Sequence, residues 1–286
     1  MSCPDCFRGG VATGIPSGTT KQLHGVKTYI ASPPPAQSQS GSTPPTTTAP
    51  RNESAIILFT DAFGHLLPNN FLLADALAAK TKLEVLVPDI IPGGGMSPSV
   101  IPLLDAFTAP DAGLLAKTWA LLRAMVHVIP FFMRASPQSG KSTGPCKEYA
   151  RAVRSSLPGS AKLGIAGYCW GGYQALFIAR QATEESTTVD AVFIAHPAKY
   201  EAAQAEEAVA KGVKLSFAHA EQDMSLPMSK VEETRKLLER KEGFEVRVYE
   251  GCAHGFAVRA NPGKEREGEA AGEALGQVSG WFGKWL

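Results

Sequence analysis

The sequence predicts an α/β fold with a mainly parallel central sheet flanked by helices, and three observations predict it. Short apolar runs rich in Val, Ile, Leu and Phe recur from Ser54 onward, longer segments with helical spacing follow them, and the connections carry Gly, Pro and Asp. That alternation is the pattern of βαβ units: a strand covered on both faces is apolar throughout, whereas its crossover helix is apolar along one stripe. With 286 residues, 44% hydrophobic and 19% charged, the chain can bury one large core, and a single domain over residues 1–286 is the expected organisation.

Val26 to Ala31 reads as the first strand, followed over about residues 32–51 by Pro, Ser, Thr, Gln and Gly. That composition cannot bury enough apolar area to offset its ordering entropy, so a flexible surface loop is expected. Further strands are expected at Ala55 to Phe59, Leu83 to Val87, Leu163 to Ala166, Ala191 to Ala195, Leu215 to Ala218 and Glu245 to Tyr249. Helices fit at Phe71 to Lys80, Cys146 to Ser155, Tyr173 to Gln181, Met228 to Arg240 and Glu269 to Trp285. The segment at about residues 90–144 is too long for a simple connection and reads as a helical cap or insert.

The formal net charge of +1 lacks the basic excess that phosphate neutralisation requires, which argues against a nucleic-acid partner. Five cysteines form an odd set, so a reducing compartment, by default the cytoplasm, is expected. The first eight residues hold no apolar run that could act as a signal-peptide core. Leu114 to Met133 is the most apolar stretch, but Lys117, Arg123, His127 and Pro130 interrupt it. It reads as a helix under solvent on one side, not as a membrane span. No exposed heptad or long edge strand stands out, and monomer and homodimer both remain open.

The chemistry concentrates at Gly164-Ile165-Ala166-Gly167-Tyr168-Cys169-Trp170-Gly171-Gly172, where a cysteine sits between glycines, directly after a strand and before a helix. This is the nucleophile-elbow pattern of the α/β-hydrolase fold with Cys in place of Ser; its tight turn demands small neighbours, here Gly167 and Gly171. In that fold an acid and then a histidine follow on loops after later strands. Leu215 to Ala218 leads to Asp223, with Glu221 as a rival acid, and Val246 to Tyr249 leads to His254. Cys169 is thus the expected nucleophile, His254 the base and Asp223 the residue that orients the base. Thr60-Asp61-Ala62-Phe63-Gly64 ends an early strand where the fold supplies an oxyanion donor, so the amides of Ala62 and Trp170 are expected to form the oxyanion hole.

Gly-Tyr-Cys-Trp-Gly-Gly, His254-Gly255-Phe256 and the Asp223 loop resemble the dienelactone hydrolase family from about Val26 to the end. Cys3-Pro4-Asp5-Cys6-Phe7 is similar to the amino-terminal segment of fungal-type members. The resemblance implies hydrolysis of a small lactone or ester through a thioester intermediate, with neither metal nor organic cofactor. Bacterial members carry a glutamate at the position of Asp61 and two arginines that hold an anionic substrate. The first arginine is absent here, where Pro88-Asp89-Ile90 stands, and Arg259 lies near the second. Asp61, Phe63 and Arg259 are therefore the expected substrate-binding residues around a small-molecule substrate.

Cys3 and Cys6 have CxxC spacing, but no second ligand pair follows, so no metal site is expected. His196 follows a strand and points to the pocket or to backbone groups; Cys146 has no chemical context of its own, and Cys252, two residues before His254 and open to oxidation with Cys169, reads as a passenger. Two other chemistries suit the same residues. One is isomerisation or rearrangement of a secondary metabolite, recognised by a product mass unchanged by water. The other is a non-catalytic thiol redox sensor, which would have no use for Asp223 and His254.

Overall fold

The structure is a computed structural model that describes residues 10–12, 14–34, 53–109, 111–182, 188–223, 225–261 and 263–286. The expected flexible loop falls largely at 35–52, and the Cys3/Cys6 pair at 1–9; both lie outside the described residues. An eight-stranded sheet forms the centre: β1 (Thr19–Leu23), β2 (Val26–Ala31), β3 (Ala55–Phe59), β4 (Glu84–Pro88), β5 (Leu163–Tyr168), β6 (Ala191–Ala195), β7 (Lys214–Gln222) and β8 (Phe244–Ala253). Their spatial order is β1-β2-β4-β3-β5-β6-β7-β8. The β1–β2 and β2–β4 pairs are antiparallel and every later pair is parallel.

Position in the sheet explains the composition of each strand. Every residue of β3, β5 and β6 is buried, as strands need to be when helices cover both faces. β1, with the polar sequence TTKQL, lies exposed at the sheet edge, and for that reason apolar periodicity did not reveal it.

The helices are α1 (Pro68–Thr81), α2 (Ile101–Thr108), α3 (Leu114–Ala135), α4 (Gly140–Ser156), α5 (Trp170–Ala179), α6 (Ala202–Ala210), α7 (Met228–Leu238), α8 (Phe256–Arg259) and α9 (Glu265–Trp285). The single-turn α8 was not expected, and two longer helices also differ from expectation. α6 was not expected; it is short and alanine-rich, and a reciprocal cap between Glu201 and Gln204 starts it. α4 begins at Gly140, ahead of the expected start at Cys146, and runs through Pro145.

The long segment before β5 folds as α2 and α3. The carboxyl end of α3 is pinned to the loop after β4 and to the start of α5: Arg134 donates to the carbonyls of Pro92, Gly94 and Gly95 at 2.9–3.3 Å, and Trp170 Nε1 donates to Ala135 O at 2.8 Å. Ala120, Ala124, Phe131 and Ala135 form its buried face, and its opposite face is in solvent. By length and composition alone, α3 is the one helix among the described residues that could cross a membrane.

Candidate active site

Cys169 ends β5 and caps α5 with φ 50° and ψ −106°, a conformation that L-residues rarely adopt and that stores about 1–3 kcal/mol. Three backbone bonds hold it there: Cys169 N–H to Ala195 O at 3.1 Å, and Gly172 and Ala198 N–H to Cys169 O at 3.1 and 3.0 Å. The glycines make the turn possible. A Cβ on Gly167 would strike the Gly171 carbonyl, and one on Gly171 would strike the Phe59 carbonyl, so α5 starts in backbone contact with β3. Gly171→Ala is therefore expected to cost about 1–3 kcal/mol or more, lowering Tm by roughly 2–5 °C or more in a thermal melt. An unchanged melt would contradict this close approach.

Residues expected from separate parts of the chain come together here. β7 delivers Asp223 and β8 delivers His254, with His254 Nδ1 2.9 Å from both Asp223 carboxylate oxygens. Asp223 also accepts from Ser225 N–H at 2.7 Å, and its side chain is 2% exposed. With Nδ1 occupied, the other ring nitrogen is left for the Cys169 thiol, whose influence raises the His254 pKa. Glu221, the rival acid, is turned away and accepts from Gly251 N–H at 2.8 Å.

Electrostatics follow from this chain of contacts. Burial alone would lower the His254 pKa, but the charge of Cys169 and the hydrogen bonds to Asp223 and Cys169 outweigh it and raise the imidazole to about 10. Burial pushes the Asp223 carboxyl up, yet its hydrogen bond and ion pair with His254, helped by Ser225, leave it below the ordinary value.

The β3 exit turn lies alongside. Gly171 N–H donates to Thr60 O at 3.0 Å, tying the residue after Trp170 to the loop that carries Ala62. Trp170 opens α5, so its N–H has no acceptor within the helix. Asp61 is 2% exposed; its Oδ1 accepts from Phe63 N–H at 3.2 Å and Asn70 Nδ2 at 3.1 Å, and its Oδ2 lies 3.8 Å from Arg259 Nε. Burial raises the Asp61 pKa against the opposing effect of Arg259. Phe63, also 2% exposed, lies 5.4 Å beneath the Arg259 guanidinium. Asp61 and Phe63 thus hold this turn and support Arg259 instead of presenting surface to a ligand. Arg259 also feels the charge of Asp105 on α2.

Asn70 escaped sequence reasoning. It looks like an ordinary helix-start residue, yet it bridges Asp61 and the Gly64 carbonyl at 3.1 and 2.9 Å and so fixes the turn. His196 is fully buried with its ring centre 5.1 Å from that of His254. Neither ring nitrogen of His196 has a hydrogen-bond partner, so the backbone-satisfying role does not hold for its side chain. Burial and the nearby charges of His254 and Arg259 keep it neutral. No group of His, Cys, Asp and Glu among the described residues has the arrangement to hold a metal ion.

A mainly parallel sheet in this order, with a strained residue between β5 and α5 and an acid and a histidine after β7 and β8, defines an α/β-hydrolase. The model of the dienelactone hydrolase family matches residues 43–286, and the chain belongs to that family, whose members hydrolyse esters and lactones. Among curated relatives, the hydrolase tropI of Talaromyces stipitatus is 23% identical, aligned over 100% of this chain and 96% of its own. Dienlactone hydrolase 1 of Gibberella moniliformis is 26% identical over 98% of this chain and 93% of its own. The fold is shared with an esterase of Pyrobaculum calidifontis (TM-score 0.53, 13% identical, 94% of this chain and 85% of that one). It is also shared with the propionate-bound esterase 2 of Thermogutta terrifontis (TM-score 0.51, 16% identical, 92% and 95%).

Proposed function

We propose that the chain hydrolyses a small, uncharged lactone or ester by covalent catalysis at Cys169. The observation that carries this reading is the succession Asp223–His254–Cys169, with the sulfur carried on a strained turn. The Cys169 thiolate attacks the acyl carbon, and the oxyanion is stabilised by the amides of Ala62 and Trp170. The tetrahedral adduct collapses to a thioester as His254 gives its proton to the leaving alkoxide. His254, now neutral, takes a proton from water, whose oxygen attacks the thioester and releases the acid, and the thiolate–imidazolium pair is restored. Asp223 holds the ring so that one nitrogen faces the sulfur throughout.

An uncharged substrate is favoured because the carboxylate of Asp61, 3.8 Å from Arg259 Nε, offsets the guanidinium charge, although neither of these two atoms has a hydrogen-bond partner. A lactone bearing a carboxylate is expected to show kcat/KM at least about tenfold below its neutral methyl ester, about 1.4 kcal/mol of transition-state binding. Preference for the free carboxylate would assign Arg259 to the substrate instead. Free thiols at Cys146, Cys169 and Cys252 support a reducing compartment, and the cytoplasm is the proposed location.

The test is a panel of p-nitrophenyl esters and unsaturated lactones, followed by product mass and intact-protein mass spectrometry after rapid acid quench. Hydrolysed product and an acyl adduct mapped to Cys169 are expected. Product of unchanged mass would replace hydrolysis with isomerisation, and the absence of both turnover and adduct would leave a thiol sensor.

A further inference from the structure

The apolar face of α3 is the largest feature that the hydrolytic site does not use. Leu115, Trp119, Leu122, Val126, Ile129 and Met133 are 53–88% exposed, and all lie on the side of the helix opposite its buried Ala120, Ala124 and Phe131. Together they present on the order of 700 Å² of apolar surface. That exceeds the roughly 300–600 Å² of the largest patch on a typical monomer and approaches the about 800 Å² that each partner contributes to a standard interface.

Their spacing says what fits. The six positions alternate steps of four and three residues without a break, a repeat of 3.5 that keeps a seam facing a second helix along its length. The pattern is symmetric about Ala124, so a two-fold axis through that point maps the seam onto itself, as a self-complementary interface requires. A shallow groove lined by Ser99, Leu103, Arg123, Val126 and His127 runs along one side of the seam and offers room for side chains from across it. This exposed seam corrects the expectation that no heptad is presented. It was hidden in the sequence because α3 is apolar on both faces, and only the packing of one face on α2 and α4 reveals which residues remain uncovered.

We propose that α3 joins two copies of this chain into a homodimer, the helices running antiparallel and crossing near Ala124. Leu115 then meets Met133 of the partner subunit, Trp119 meets the partner's Ile129, and Leu122 meets the partner's Val126. Charge gives the pairing a signature. α3 carries Lys117, Arg123 and Arg134 and no acidic residue, and the antiparallel arrangement brings Arg123 to face its own counterpart beside the seam. Added salt screens that repulsion and tightens the dimer, whereas binding of the same basic face to an anionic lipid surface would be weakened by salt.

The experiment is sedimentation velocity on the full chain over a range of concentrations, at low and at about 0.5 M NaCl. A species of twice the chain mass is expected, with a higher dimer fraction at high salt and a monomer for Val126→Glu. A wild-type chain that stays monomeric overturns the proposal, as does a Val126→Glu variant that remains dimeric with its helical circular dichroism intact. Flotation with phosphatidylcholine–phosphatidylserine vesicles, seen together with a monomeric chain, would assign the face to a membrane and also overturns it. Should Val126→Glu not fold, disulfide trapping still tests the geometry. Under copper–phenanthroline oxidation, a mixture of Leu115→Cys and Met133→Cys chains is expected to cross-link strongly and each variant alone weakly. Equal cross-linking of the single variants overturns the antiparallel pairing.

Discussion

Cys169→Ala is expected to lower kcat/KM for any substrate of the chain by about 10⁴-fold or more and to abolish the acyl adduct, with the fold intact. The size follows from the way the site works as a unit. On the proposed mechanism, loss of the sulfur leaves His254 and Asp223 nothing to activate, and only binding and the proposed oxyanion amides of Ala62 and Trp170 remain; such groups supply about 10³–10⁴ over water in related arrangements. The fold survives because the Cys169 side chain is only partly buried, and its backbone, through Ala195, Gly172 and Ala198, holds the turn. Cys169→Gly separates the two effects further. It loses the same activity, yet it relieves the strain of φ 50° and should raise stability by about 1 kcal/mol or more, read as an upward shift in Tm. Residual turnover in Cys169→Ala within tenfold of wild type would remove the sulfur from the chemistry. A melt lowered in Cys169→Gly would show that the turn is not strained.

What could be read in the sequence divides along physical lines. β3 and β6 match their expected limits because a strand buried on both faces advertises itself by an unbroken apolar run. β1 did not, being an edge strand whose exposed side chains carry no burial signal. The proximity of Asp223 and His254 was readable because each lies just past a strand whose place in a parallel sheet puts its carboxyl end on the same side. The β3 exit turn was readable as a location but not as a set of contacts. That Asp61 and Phe63 would lie buried under Arg259, with Asn70 fixing the turn from α1, depends on how α1 and α8 pack together, which no local pattern encodes. The apolar stretch in α3 was visible too, but a helix apolar on two opposite faces cannot say which of them the fold will cover.

Asp223→Asn should reduce kcat by about 10⁴-fold while leaving the site folded, because an amide that donates to Nδ1 favours the wrong imidazole tautomer. The pH dependence of the two proteins then reports the electrostatics directly. In wild type, burial disfavours the imidazolium, but Cys169 and Asp223 hold His254 protonated until about pH 10. The limb on which kcat/KM declines with alkali should accordingly lie well above neutrality. In Asp223→Asn the carboxylate's share of that support is gone, so this limb should move to lower pH. Stability follows the same linkage with a definite sign. A histidine whose folded pKa is raised from 6.5 to about 10 contributes stability that is complete below pH 6.5 and is lost as pH rises through about 10. Asp223, whose folded pKa is lowered, contributes stability above the ordinary carboxyl range, lost as pH falls through its depressed value. The Tm difference between wild type and Asp223→Asn should therefore be widest near pH 5–6, narrowing toward both extremes. A difference that stayed flat between pH 7 and pH 10 would mean that His254 is neutral in the resting protein. The proton given to the leaving group would then have to come from the Cys169 thiol during attack, rather than from an imidazolium already in place.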